Sequence, residues 1–312
     1  MALDTYAEIV GRVKLHCPAA GELLARDWVT NAFRRVAERK RWSWLVKTGQ
    51  FILPPVVNDG TATVTNSSTT VTGNGTAWTG DLAGRQFRIG NSTPIYTIAS
   101  VTDASTLELD QFWGAASQTD VQYQIYLAFQ TAPSDFHSFI SLWDPQQNWA
   151  LHLNVSAMAL NIIDPQRTNS GTSYCAAWHD WNTVDNLPRY ELWPHNITST
   201  GYVYPFLYEV RADNLTNPST VIPRYVREDV LLEMALSQAA RWPGTSTEPN
   251  PYFNRDLSTQ LERRAEFMIG EMERQDDETF LQSVTYPMRY APWPFPDAPF
   301  PLDAQWMQSH SI

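Results

Sequence analysis

The sequence predicts an α+β fold: a helical bundle assembled from N- and C-terminal helices, with an inserted small antiparallel β-barrel or sandwich and an extended C-terminal tail. Three observations predict it. Residues 23–45 carry apolar side chains at Leu24, Trp28, Ala32, Phe33, Val36 and Ala37 with charged residues between them, the spacing of a helix with one apolar stripe. The other strongly helical stretches come only after Ile222, so everything between must leave the first helix and return. From Asp59 the texture changes to alternating β-branched residues broken by turn residues, which suits short strands. The implied domains are 1–57 with 131–283 for the helical part and a β-hairpin, 58–130 for the β module, and 284–312 for the tail.

In chain order, residues 5–16 read as a short helix with Ile9, Val10 and Val13 on one side and Cys17-Pro18 ending it. No glycine or proline interrupts 23–45, so that helix can run about twenty residues, roughly 30 Å. Its last turns hold Arg39, Lys40 and Arg41, cations favoured at the negative helix end. Phe51-Ile52-Leu53 reads as a strand closed by Pro54-Pro55. Residues 60–78 read as a hairpin with Asn-Ser and Gly-Asn-Gly turns, and strands follow over 86–89, 95–98, 106–109 and 123–126.

Between 132 and 187 the pattern is weaker: Pro133 to Phe136 opens a short helix and 155–163 makes another, stopped by Asp164-Pro165. Strands over 190–193 and 202–210 are expected to pair as a hairpin. Two helices follow. The first, over 227–241, has Val226, Val230, Leu231, Met234 and Ala235 inward and Pro243-Gly244 ending it; the second, over 251–281, spaces Leu257, Leu261, Phe267 and Met268 along a face dense in Arg and Glu. In the tail, six prolines between Pro287 and Pro301 alternate with Tyr290, Trp293, Phe295 and Phe300. Proline removes donors and forbids regular helix, so this segment is extended. Its aromatics cannot build a core of their own and must lie on a surface, this protein's or another's.

Of the 312 residues 43% are hydrophobic and 18% charged, enough to bury a sizeable core and too apolar for wholesale disorder. A net charge of −11 argues against a protein that grips nucleic-acid phosphates, while suiting the wall of a passage along which DNA slides without sticking. Cys17 and Cys175 stand alone and read as free buried thiols. No apolar run approaches the roughly 18 residues of a membrane span, and the N-terminus has no signal-peptide layout. The six N-x-S/T sequons are read as chance in a chain rich in these residues.

Sharp catalytic signatures are missing: there is no phosphate-binding G-x-x-x-x-G-K-[ST], no H-E-x-x-H, no G-x-S-x-G and no paired CxxC. Gly73-Asn74-Gly75 resembles the start of a nucleotide loop, but it sits in hairpin texture with no helix after it, so it is read as a turn. The histidines are scattered, and the most suggestive is His179, followed by Asp180 and flanked by Trp178 and Trp181; a carboxylate can orient an imidazole, but no nucleophile is flagged beside it. Paired acids for glycoside hydrolysis would be neighbours in space rather than in sequence. The thirteen tryptophans are read as core and subunit contacts rather than a sugar groove.

Several pieces together resemble the head–tail connector, or adaptor, proteins of tailed bacteriophages, including the gatekeeper-like adaptors of short-tailed phages. They are FRRVAERKRWSWL and the following FILP, the Thr-rich GTATVTNSSTTVTGNGTAWTGDLAGRQFRI, NIIDPQR, PRYELWP, YVYPFLYEVRADNL and IPRYVREDVLLEMALSQAARW, spread over residues 20–280. The Thr/Gly module also occurs in other phage structural proteins. The resemblance implies a homo-oligomeric ring, commonly a dodecamer, bound to the portal protein at the head–tail junction of the virion and contacting tail nozzle, tube or fibre proteins. Double-stranded DNA would pass through its lumen without sequence-specific binding, and the family brings no catalytic residues, cofactor, metal or membrane. The protein would be made in the host cytoplasm. Residues Arg289, Tyr290, Trp293, Phe295, Phe300 and Trp306 are the expected partner-binding positions, and the β module is expected to face outward. The competing readings are a carbohydrate-binding or depolymerising tail protein and a tail-tube or tail-completion protein.

Overall fold

A computed structural model describes residues 5–90, 94–182, 184–212, 215, 217–223 and 225–281. They form two units: 5–47 with 209–281, and 48–208. The expected helical bundle with a small inserted barrel is overturned. Among the described residues fifteen strands in three sheets outweigh five α-helices, and the β part is the larger unit, with 58–130 belonging to one body together with the strands after it.

Helix α1 (Tyr6–His16) starts at a capping box, Thr5 and Glu8 each bonding the other's backbone N–H. Helix α2 (Glu22–Ala37) buries Trp28, Ala32, Phe33, Val36 and Ala37 as its stripe predicts. It is shorter than the sequence indicates. Trp42 turns inward, 1% exposed, and its indole donates to the Val36 carbonyl at 2.7 Å. Residues 38–42 therefore leave the helix, and a 3-10 turn at Ser43–Leu45 leads into β1 (Val46–Leu53).

The Thr-rich segment gives the hairpin β2 (Thr61–Val64) and β3 (Thr70–Asn74), then β4 (Gln86–Ile89), β5 (Tyr96–Asp103), β6 (Thr106–Leu109), β7 (Gln118–Val121) and β8 (Tyr123–Tyr126). Their sheet runs β7-β2-β3-β6-β5-β4-β8 and curls into a half-barrel. Its two end strands, β7 and β8, are separated in sequence by Gln122 alone. Val71, Phe87, Ile98, Leu107, Trp113 and Ile125 fill the concavity; burying each such side chain stabilises by about 1.5–3 kcal/mol. Gly60, at φ +78°, could not carry a side chain, because a Cβ would come within 2.4 Å of the Asn74 carbonyl oxygen.

From Phe129 the chain stays extended. No helix forms at Pro133–Phe136; Phe136 N–H donates back to Pro133 in a turn that opens a long strand. The elements are β9 (Phe129–Thr131), β10 (Phe136–Asp144), β11 (Trp149–Ala150), β12 (His152–Ser156), α3 (Ala157–Ile163), β13 (Cys175–Asn182), β14 (Leu187–Trp193) and β15 (Tyr202–Val210). Two four-stranded sheets result, β1-β15-β10-β11 and β12-β13-β14-β9. The expected hairpin of 190–193 with 202–210 is therefore incorrect: β14 pairs with β13 and β9, and β15 joins the other sheet. Alternate burial along β15 supplies Phe206 to an aromatic cluster with Phe51 and Phe139, at centroid separations of 4.6 and 5.2 Å.

Helices α4 (Glu228–Arg241) and α5 (Arg255–Leu281) close the helical unit against α1 and α2. Asn254 caps α5, its side chain accepting from Asp256 and Leu257 N–H. Leu261 is buried as expected, but Phe267 is 70% exposed; the buried stripe runs instead through Leu261, Ala265, Ile269 and Met272. Charges on α5 meet the end of α2: Arg35 pairs with Glu262 and Glu266 at 3.0 and 2.8 Å, Arg39 with Glu273 at 3.2 Å, and Lys40 with Asp276 at 3.1 Å. The Arg- and Glu-dense face that the sequence places on α5 thus supplies acids that staple α5 to the end of α2.

Candidate functional site

The chemistry the sequence hinted at does not assemble. Among the described residues no group of three His, Cys, Asp or Glu side chains could hold a metal ion. His179 lies flat on Phe129, with ring centroids 4.1 Å apart, and its Nε2 is 3.8 Å from Asp180 Oδ2, too far for a hydrogen bond. Asp180 is engaged by Arg189 instead. Burial lowers the His179 pKa, against the pull of Asp180. Cys17 and Cys175 are free and buried, as expected. Cys17 donates to Asn250, whose amide in turn reaches the Ala239 and Trp242 carbonyls.

A charged cluster that sequence reading missed lies inside the β unit. Arg167, just beyond α3, donates from Nε to Glu191 Oε1 and from Nη2 to Glu191 Oε2, at 2.5 and 3.1 Å. The third partner is His195, whose Nε2 is 3.0 Å from Glu191 Oε1. Arg88 of β4 donates to the Arg167 carbonyl at 2.7 Å, and the Tyr126 ring of β8 lies tilted against His195 with centroids 5.2 Å apart. Burial works to raise the Glu191 pKa, but the bonds and charges of His195 and Arg167 prevail and hold it at about 2. Burial pushes the Tyr126 hydroxyl up to about 12. The His195 and Glu191 side chains are only 1% and 2% exposed, so no substrate reaches them. The cluster ties the half-barrel to the β12-β13-β14-β9 sheet. A Glu-x-x-x-His spacing in PRYELWPH was its only sequence trace.

The open site is in the helical unit. A cleft of about 670 Å³ is lined by Phe33 of α2, Trp44 of the 3-10 turn, Lys47, Arg211, Leu215 and Pro223, among others. Its position follows from the end of α2. Trp42 is buried, and Ser43 N–H and hydroxyl both donate to Asp276 of α5, which turns Trp44 against Phe33 at 6.2 Å between centroids. Trp44 Nε1 has no hydrogen-bond partner among the described residues. Among the described residues, two cations, aromatic and aliphatic walls and Thr220 line the cleft, and no histidine, cysteine or carboxylate does. Such a surface can dock an apolar, acid-bearing segment, and its described lining offers no general base for hydrolysis. A second, smaller hollow between α2, α4 and α5 is occupied by the Arg35, Arg241, Glu262 and Glu266 ion pairs.

The expected partner-binding residues Arg289, Tyr290, Trp293, Phe295, Phe300 and Trp306 lie outside the described residues. Trp178 and Trp181 are exposed, 45% and 55%. They sit opposite Tyr190 and Pro188 across a bulge, which puts both on one face of β13. None of the described helices is long and apolar enough to cross a membrane. Compared with protein-family models and with curated proteins, the chain matches none.

Proposed function

We propose that this chain is a structural virion protein, an adaptor subunit whose ring links the portal to the tail and encloses the DNA passage. The observation that carries the reading is a helical unit stapled together from two distant segments, with an open cleft lined for docking and no acid–base pair among its described residues. The strongest buried acid–base cluster is sealed from solvent and braces two sheets, which favours a scaffold over an enzyme. The net charge of −11 suits a channel that must not hold DNA phosphates. The sequence resemblance to phage adaptors supplies the ring, the portal and the tail as partners. The tail beyond Leu281 is the anchor by which one copy engages a sister copy or the portal, its aromatics serving as interface anchors.

Native mass spectrometry and negative-stain class averages of the full chain, alone and with its portal ring, test this. A closed ring on the portal is expected; a monomer that ignores the portal overturns the reading. Exposed Trp178 and Trp181 on one strand face favour a second reading, a carbohydrate-binding tail protein, since aromatic platforms stack on sugar rings. Glycan-array binding abolished by Trp181→Ala, without portal binding, would select it.

A further inference from the structure

We propose that the cleft of the helical unit is the receptor for this sequence's own C-terminal segment, 292–301, PWPFPDAPFP. The proposal deepens the adaptor reading and rests on it for one point only, that the segment comes from a neighbouring copy. The chemistry of cleft and segment is complementary. Five of these ten positions are proline, the composition of segments that dock on aromatic-lined grooves as polyproline helices with little ordering entropy to lose. Phe33 and Trp44 provide such walls, and the segment brings Trp293, Phe295 and Phe300 to them. Asp297 stands at the centre of the segment, and Lys47 and Arg211 line the cleft. Arg211 makes no ion pair among the described residues.

The tether also fits. Asp276 of α5 is bonded to Ser43, next to Trp44, and α5 ends at Leu281, about 8 Å of helix farther on. The twelve residues from there to Trp293 can span roughly 40 Å when extended. The segment therefore meets clefts of the same or adjoining copies at an effective concentration of order millimolar.

The test uses the full-length chain with Phe295 replaced by photoreactive benzoylphenylalanine, irradiated and mapped by mass spectrometry. Adducts are expected on peptides spanning 33–47 and 210–223; adducts only elsewhere, or none, overturn the assignment. Arg211→Glu should lower the yield about fivefold, the size expected from an exposed ion pair turned repulsive, and adding Asp297→Arg should restore it. An unchanged yield in Arg211→Glu would overturn the charged seat. Mixing heavy- and light-isotope copies separates the two readings: heavy–light adducts support docking between copies. Adducts confined to single copies uphold the cleft as receptor and overturn the link between neighbours.

Discussion

Glu191 shows how far one residue's role can lie from what its sequence surroundings suggest. The run RYELWPH reads only as part of a strand, yet Glu191 is 1% exposed and its main partner, Arg167, is 24 positions earlier. Nothing local announces that pairing, because Arg167 reaches it only after α3 has ended at Asp164 and the chain has turned through a left-handed residue, φ 54° at Arg167 itself. Glu191→Gln would leave Arg167 buried without its counter-charge and should destabilise the β unit by about 3–5 kcal/mol. The pH dependence has a definite sign. Its folded pKa, near 2, lies below the ordinary 4.5, so its contribution is fully present above about pH 4.5 and is lost as pH falls towards 2. Urea midpoints read on the β-unit tryptophans should fall over that window in the parent, by on the order of 3 kcal/mol. The variant, already weakened, should show a flatter acid limb.

Among elements, α2 and α5 were the most legible and also the most instructive in error. The 3.6-residue period of the first runs on into the basic turn, so sequence alone extends the helix to Leu45. It stops at Ala37 because Trp42 folds back onto the Val36 carbonyl and Ser43 is wanted by Asp276, and the second demand comes from an element far along the chain. Most strands of the half-barrel were readable because alternating stretches are closed by turns, though β7 was missed. Beyond it β14 and β15 were read as strands and β9 to β13 were not, and no local signal says that β15 should pair outside its neighbouring β14. Pairing between α2 and α5 by charge leads to a measurable expectation. Arg35 is 53% exposed, so Arg35→Ala should cost about 1 kcal/mol or less at low salt. Because the ladder is screened, parent and variant should converge in urea midpoint near molar salt. A cost that persisted there would place the effect in the packing of the arginine stem on α5 instead.

At the scale of the whole molecule, the chain leaves its helical unit at Lys47 and returns at Glu209. The sequence conveyed this return, since the two helical regions are far apart and neither stripe can be covered alone. It did not convey that the excursion is the larger body, with its own polar interior. Among the described residues both units have cores of their own, and the adaptor reading assigns the tail to association rather than to either core. A chain ended after Leu281 should therefore keep its urea midpoint within about 0.5 kcal/mol of the parent, as surface changes do, and keep its helical and β circular-dichroism signals. What it should lose, on the adaptor reading, is association: sedimentation should show monomers where rings are expected of the parent, and a portal that retains the parent should no longer retain it. A truncated chain that still closed rings would move the subunit contact to the folded surface, where the exposed Phe267 on α5 is the first place to look. If the truncated chain instead lost its fold as well, the tail would belong to a core, and its aromatics would be packing rather than reaching.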